Sequence, residues 1–396
     1  MIPLFAVTSS STGFELSSLT ANDLIYGFLA FLFSVLLSFA LTPVVRVLAY
    51  RIGAVDVPRD SRRMHTHPVP LIGGLGIFLS FALSCLLFVP VLDKRIFGML
   101  FGMLAIVAVG IVDDRKNLRP GVKLIGEVIA ALIPLFSGVT IDSLIFAGET
   151  IVFPWWVSLP LTLIWIVGIT NAVNLIDGLD GLACGVSVIA AFCLVLSAII
   201  SATNNVALLA FLLAGACLGF LPYNVHPAKI FMGDTGALML GYALATISVI
   251  GVFKFNAVIS FLVPCLILGI PFSDTITAIF RRILHHKSPF QADRGHLHHK
   301  LVDMGFSPRA SVLILYAISA LLGIVAVMLT GDNVRVGVFA FLVGAAVIVI
   351  DFLVIRSSTK ARREMGVIED SEKLEHREED QTVPQEDPKT EEGEAK

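Results

Sequence analysis

Eleven apolar stretches, each near the length needed to cross a bilayer, leave this chain few ways to fold. They run near 24–46, 71–92, 96–112, 122–138, 156–172, 182–201, 206–222, 236–252, 257–280, 310–330 and 335–355. About 20 apolar residues span a hydrocarbon core as a helix. In that medium the backbone must bond to itself, so helices are the economical solution. The chain of 396 residues is 56% hydrophobic and only 15% charged, with a mean hydropathy of +0.87. Soluble domains carry about 25% charged residues. The expected fold is therefore an all-α polytopic integral membrane protein of about eleven transmembrane helices.

The loops alternate in charge. One set carries 20 Lys and Arg, from Arg46 and Arg51 through Arg115, Lys116 and Arg119 to Arg362 and Arg363. The opposite set carries 4: Lys94, Arg95, Lys254 and Arg335. The positive-inside rule makes the first set cytoplasmic, with the N-terminus outside and the C-terminus inside. Residues 1–23 hold no Lys or Arg, so they lack the basic start of a signal peptide and are expected as an extracytoplasmic segment. The catalytic membrane domain is expected over 24–355, and 356–396 as an acidic, disordered cytoplasmic tail. Acidic residues concentrate in that tail, so the net charge of -3 misleads about the rest of the chain. The segment 139–155 alternates weakly around Ala147-Gly148 and is expected to form a short extracytoplasmic β-hairpin. The five cysteines lie in or beside apolar segments with no CxxC spacing, and read as small core residues. No partner in nucleic acid is expected.

Five polar clusters all fall on the expected cytoplasmic face. Asp56 to Gly74 combines Arg62, Arg63 and His65 with a Pro-x-x-Gly-Gly start to a helix. The charges alone suit an anionic-lipid anchor. The glycines add bare amides able to approach a phosphate closely. Asp113-Asp114 closes the third span, and the mutual repulsion of two carboxylates there points to a counter-cation or a proton task. Lys123 and Glu127 follow at i,i+4 spacing, where a local ion pair is the simplest reading. Asn171 to Gly181 packs two Asn and two Asp-Gly turns between two spans. A polar turn is the simplest account of one Asp-Gly, but four carboxamide or carboxylate groups together are oxygen ligands of the kind Mg²⁺ prefers. Asn224 leads to Phe231 and then Gly233-Asp234-Thr235-Gly236, with Asp234 at the mouth of the eighth span. Composition favours packing over stacking for Phe231. Ser288 to Leu301 gathers Arg294, His296, His298 and His299; lacking a remote fourth ligand, it suits phosphate better than zinc. Carboxylates and cations on one membrane face have the composition of a Mg²⁺–diphosphate site, where positioning and charge neutralisation do most of the catalysis.

These motifs, in this order, resemble the polyprenyl-phosphate N-acetylhexosamine-1-phosphate transferases. The matching residues are D-x-P…R-R-x-H…P-x-P-x-x-G-G, D-D, N-x-x-N-x-x-D-G-x-D-G-L, F-x-G-D-T-G and R-x-H-x-H-H, spanning 56–301. The last motif is similar to that of the WecA/TagO branch, which transfers GlcNAc-1-phosphate from UDP-GlcNAc to undecaprenyl phosphate. Lys300 stands where Arg is common. The resemblance implies that Asp234 and Asn174 hold Mg²⁺, with Mn²⁺ as a substitute. It implies that Asp113, supported by Asp114, acts on the lipid phosphate and that Lys123 contacts phosphate. Asp180 would pair with the uracil edge and Phe231 would stack on it, while Asp177 and Asn171 shape the loop and Asn224 faces the nucleotide. Arg294, His296, His298 and His299 would grip the diphosphate, with Arg63 and His65 among the substrate-binding candidates. The implied partners are UDP-GlcNAc, undecaprenyl phosphate and the bilayer, with a homodimer left open. The implied location is the plasma or inner membrane, with the site facing the cytoplasm.

Two other readings stay open. The same chemistry could take another donor such as UDP-MurNAc-pentapeptide. A transporter or flippase of phosphorylated lipid would instead need polar residues along a path through the membrane. Only Glu127 and Asp274 stand out within the spans, and no internal repeat is visible.

Overall fold

The computed structural model of the protein describes residues 21–57, 67–146, 149–201, 203–251, 265, 267–284, 297–304 and 306–330, with single residues at 342 and 346. Its contacts divide the chain into one unit of Met1–Gly344 and another of Ala345–Lys396, and every element below belongs to the first.

Eleven helices appear among the described residues. They are α1 (Ala21–Ile52), α2 (Gly74–Phe88), α3 (Lys94–Lys116), α4 (Pro120–Phe136), α5 (Trp155–Ile176), α6 (Leu182–Ile200), α7 (Asn204–Asn224), α8 (Gly233–Gly251), α9 (Gly269–Leu284), α10 (Leu297–Asp303) and α11 (Pro308–Leu329). Local chemistry sets several boundaries. Asp93 caps α3 by accepting from the backbone of Arg95 and Ile96 at 3.1 and 3.0 Å, and Asn117 ends it in the left-handed conformation. Pro120 starts α4, where a missing N–H costs no helical bond. Ser307 caps α11 through the N–H of Ala310 at 3.2 Å.

Seven of these helices (α1, α3, α5, α6, α7, α8 and α11) are long and apolar enough to cross a bilayer. The protein is thus a polytopic membrane protein. The first eight expected spans coincide with α1 to α8, although α2 and α4 are shorter, at 15 and 17 residues. The ninth and tenth overlap α9 and α11, and almost all of the eleventh lies outside the described residues. Burial identifies the centre. The apolar window of α8 is 83% buried, against 28% for α1, whose Ile25, Phe28, Leu36 and Val44 face outward. Helix α8 packs against α2, α3, α5, α6 and α7. Its approach to α2 is so close that a Cβ on Gly74 would come within 2.0 Å of the Gly236 Cα. Only glycines permit that contact.

Two small antiparallel ribbons complete the described fold. Ser143–Phe146 (β3) pairs with Glu149–Val152 (β4) across Ala147-Gly148. The other ribbon has no counterpart in the sequence expectations. Val55–Asp56 (β1) pairs with Val69–Pro70 (β2) and draws together the two ends of the Arg-rich first loop.

Candidate active site

Four helix ends meet at one face of the bundle. Helix α3 brings Asp113 and Asp114 in its last turn, and α4 brings Lys123 in its first. Asn171 and Asn174 come from the end of α5, and Asp234 from the start of α8. The sequence expectation placed Asn171 and Asn174 in a loop. They are instead helical, because α5 continues to Ile176 and leaves the turn to Asp177–Gly181.

Lys123 joins the cluster. Its Nζ lies 2.9 Å from Asp113 Oδ2 and 2.7 Å from Asp234 Oδ1. Asn174 Nδ2 donates to the same Asp234 oxygen at 2.6 Å, and the Leu118 N–H donates to Asp113 Oδ1 at 2.7 Å. Exposure rises across the cluster, from 6% for the Asp113 side chain to 33% for that of Asp234. Asp234 is therefore more open to a ligand than Asp113. The local Lys123–Glu127 ion pair does not form. The ammonium turns to two carboxylates brought from other helices, and Glu127 accepts from Asn171 Nδ2.

The two adjacent aspartates separate by task. Asp113 faces Lys123, whereas Asp114 accepts from the backbone of Asp234 and Thr235 and from the Thr235 hydroxyl. The glycine pair after Pro70 also departs from expectation. The N–H groups of Gly73 and Gly74 donate to the carbonyls of Phe231 and Met232, both at 3.0 Å, so they are not bare amides awaiting phosphate. With the Phe231 N–H on Pro70 O at 2.9 Å, they stitch the β2 segment to the strand of chain that delivers Asp234.

The nucleotide candidates lie in the adjoining turns. Asp180 Oδ2 contacts His226 Nδ1 at 2.8 Å and accepts from the Ala228 N–H at 3.1 Å. Asn224 is buried, 3% exposed, and its Nδ2 donates to the Ile230 carbonyl at 3.1 Å; it supports this turn from inside rather than facing open space. The Phe231 ring is half-buried. Asp177 ends α5. Burial, followed by the negative charges of Asp234, Asp114 and Asp180, pushes its carboxyl up to about 8. Arg63, His65, Arg294 and His296 lie outside the described residues, and of His298 and His299 only the backbone within α10 is described.

Three contributors were given no site role by the sequence. The Tyr316 hydroxyl of α11 donates to the Gly181 carbonyl at 2.5 Å, and Arg309 Nη2 to the His226 carbonyl at 3.1 Å. Asp274 Oδ1 accepts from the Leu297 N–H at 3.0 Å, tying α9 to the start of α10. A lone Tyr, Arg or Asp at a helix position carries no local signal of such distant partners. These contacts also weaken the transporter reading. Its two intramembrane carboxylates, Glu127 and Asp274, each serve a local bond rather than mark a path.

The donor set suits a hard divalent cation. The carboxylates of Asp113 and Asp234 converge with the Asn174 carboxamide, and among the described residues Lys123 is the cation bonded to them. Among the described residues, no three His, Cys, Asp or Glu side chains form a ligating group. A cation that takes one or two carboxylates and completes its shell with water and substrate phosphate needs no such cage.

The fold and this cluster define a membrane-embedded transferase, and the chain belongs to glycosyl transferase family 4, which residues 96–252 match. That match runs from α3 to α8 and so contains every residue of the cluster. The chain is 40% identical over 313 residues to a Bacillus subtilis protein named probable undecaprenyl-phosphate N-acetylglucosaminyl 1-phosphate transferase; the alignment covers 78% of this chain and 87% of that one. It is 38% identical to the decaprenyl-phosphate N-acetylglucosaminephosphotransferase of Mycolicibacterium smegmatis, covering 69% and 74%. A phospho-N-acetylmuramoyl-pentapeptide-transferase of Halalkalibacterium halodurans is 36% identical over a shorter stretch, 56% of this chain and 72% of that one.

Proposed function

We propose that the protein transfers GlcNAc-1-phosphate from UDP-GlcNAc to undecaprenyl phosphate, giving undecaprenyl-diphosphate-GlcNAc and UMP. This would be the first membrane step of a cell-surface polysaccharide. The observation that carries the reading is the Lys123 ammonium held between Asp113 and Asp234, with Asn174 on the same Asp234 oxygen. The relatives' names support the sugar and the prenyl acceptor.

In the reaction an oxygen of the lipid phosphate attacks the sugar-bearing phosphorus of the donor. The bond from that phosphorus to the bridging oxygen breaks, and the electron pair leaves with UMP. A lipid phosphate with a second pKa near ~6 is mostly dianionic at neutral pH. Asp113 therefore needs only to remove a residual proton and aim the nucleophile, and its bonds to Lys123 and the Leu118 N–H fix it for that purpose. Lys123 offsets phosphate charge at the meeting point of donor and acceptor. Asp234 and Asn174 would hold Mg²⁺, which supplies neutralisation of the diphosphate as negative charge builds on the leaving oxygen. The Asp180–His226 turn would receive the uridine. Eleven spans, with the cluster on the cytoplasmic side of a plasma or inner membrane, complete the proposal.

The test is release of UMP from UDP-GlcNAc by purified protein, with and without undecaprenyl phosphate and Mg²⁺. Release that needs both, and is absent with UDP-MurNAc-pentapeptide, is the expected result. The opposite donor preference would transfer the same chemistry to the other sugar.

A further inference from the structure

Helix α4 carries one more carboxylate, which the reaction above does not use. Glu127 lies one turn beyond Lys123 and is only 2% exposed. Its Oε2 accepts from Asn171 Nδ2, while its buried Oε1 has no hydrogen-bond partner among the described residues. A buried carboxylate left half-satisfied is costly, and an apolar residue of the same size would serve packing better. Its presence therefore calls for another explanation.

The neighbouring contacts supply one. Asn171 Nδ2 also donates to the Val167 carbonyl at 3.0 Å, so this amide is held both to Glu127 and to its own helix. Asn174 stands three residues on, on the same face of α5. Its Nδ2 meets Asp234 Oδ1 at 2.6 Å, the oxygen that Lys123 also reaches. Helices α4 and α5 are thus joined by two rungs about one turn apart. The inner rung is Glu127–Asn171, and the outer is Lys123–Asp234–Asn174. Without the inner rung, the last two turns of α5 would be free to fray just where Asn174 must meet Asp234.

We propose that Glu127 is a positioning residue. Through Asn171 it sets the end of α5, so that Asn174 and Asp234 stay arranged for a divalent cation. This rests on the reading that those two residues hold the cation. The experiment compares Glu127→Gln, Glu127→Leu and Asn171→Ala in the purified full chain with two measurements. One is the rise in thermal midpoint of substrate-free protein with added Mg²⁺, which follows cation binding directly. The other is kcat, KM and Mg²⁺ dependence of UMP release. Glu127→Leu and Asn171→Ala should each raise the Mg²⁺ needed for half of the midpoint rise about tenfold, on the scale of losing a charge-assisted hydrogen bond. They should lower kcat by a similar factor and leave KM for UDP-GlcNAc within about twofold. Glu127→Gln, whose amide oxygen accepts the same N–H, should stay within about threefold of wild type.

A Glu127→Leu protein with a wild-type Mg²⁺ requirement, whatever its stability, would reduce Glu127 to a structural residue and overturn the proposal. So would a Glu127→Gln protein as impaired as Glu127→Leu, because the charge would then matter and not the bond to Asn171. Should Glu127→Leu fail to fold, Asn171→Ala decides, and a wild-type Mg²⁺ requirement there is equally fatal. Wild-type protein with no Mg²⁺ response in either measurement would instead overturn the cation site itself, an outcome distinct from the others.

Discussion

Asp114 holds the turn that presents Asp234. Its carboxylate accepts from the N–H of Asp234 at 2.8 Å, the N–H of Thr235 at 3.0 Å and the Thr235 hydroxyl at 2.6 Å. It therefore caps α8 from another helix, satisfying donors that a helix start leaves open and placing negative charge where the dipole favours it. Gly233, at φ +70, makes the turn tight enough for this contact.

Different responses are expected from the two adjacent aspartates. Asp114→Ala strands two N–H groups and a hydroxyl, which should cost about 2–4 kcal/mol. Its thermal midpoint should fall by several degrees, and activity with it. Asp113→Asn weakens the ion pair with Lys123, which keeps Asp234 as a partner, so the midpoint should fall by less than in Asp114→Ala while UMP release collapses. Melting curves and turnover on both variants check this, and a larger stability loss in Asp113→Asn would reverse the assignment.

The difference between these aspartates shows what local sequence could and could not convey. Apolar length predicted the helices well, because crossing a bilayer is a constraint each segment meets alone. The members of the cluster were also legible: the stretches holding Asp113, Asn174 and Asp234 were expected on one face from their chemistry, the resemblance added Lys123, and the four converge. Their pairings were not legible. Lys123 has Glu127 one turn away in its own helix, yet it bonds Asp234, 111 residues distant. Gly73 and Gly74 looked like a phosphate cradle because their amides appear bare in sequence. Only the path of 231–232 reveals that those amides are taken.

The contact between Gly74 and Gly236 gives a sharp stability test. An alanine at 74 would place its Cβ 2.0 Å from the Gly236 Cα, against backbone that cannot yield as a side-chain tip can. Gly74→Ala should cost at least about 1–3 kcal/mol, the usual range for overpacking. Gly121, in the first turn of α4, has no atom of the described residues within 4 Å of such a Cβ. Gly121→Ala should therefore stabilise by about 0.4–1 kcal/mol through the unfolded chain. Thermal midpoints of the two variants should move in opposite directions, and a fall in both would refute this packing argument.

Asp177 predicts a pH dependence. Its carboxyl is pushed up to about 8 in the folded protein, first by burial and then by Asp234, Asp114 and Asp180; its ordinary value is ~3.9. The fold thus favours the protonated form. That contribution is fully present below about pH 4 and is lost as pH rises towards about 8. With a chelator present, wild-type protein should lose more thermal stability between about pH 5 and pH 8 than Asp177→Asn, which carries no such proton. Parallel curves for the two proteins would show that Asp177 does not titrate in this range.

The orientation proposed for the helices is tested at Asn117, the left-handed residue that ends α3 beside Asp113. The 20-to-4 division of Lys and Arg between alternate loops is the reason for proposing that it faces the cytoplasm. A cysteine introduced there, in a background whose native cysteines are replaced, should resist a membrane-impermeant thiol reagent in intact cells. It should react once the cells are opened. Labelling from outside would invert the topology and put the cluster on the far face.

Asp234 and Asp180 separate the chemistry from substrate binding. Asp234 is more exposed than Asp113 and is bonded to both Lys123 and Asn174. Asp234→Asn keeps the shape but removes a unit of charge from the place proposed for the cation, and hard cations prefer carboxylate. Turnover should fall by roughly a hundredfold or more, the scale of losing one group that acts in the transition state. Excess Mg²⁺ should restore part of it, because the amide still offers an oxygen. Asp180 instead organises the turn at His226 and Ala228, the turn proposed to receive the uridine. Asp180→Ala should release that turn and raise KM for UDP-GlcNAc, with kcat within a few-fold of wild type. Steady-state kinetics on both monodisperse variants makes the comparison. An Asp234→Asn enzyme with normal kcat and normal Mg²⁺ dependence would remove this residue from the cation site, and a loss of kcat alone in Asp180→Ala would move Asp180 from the nucleotide to the chemistry.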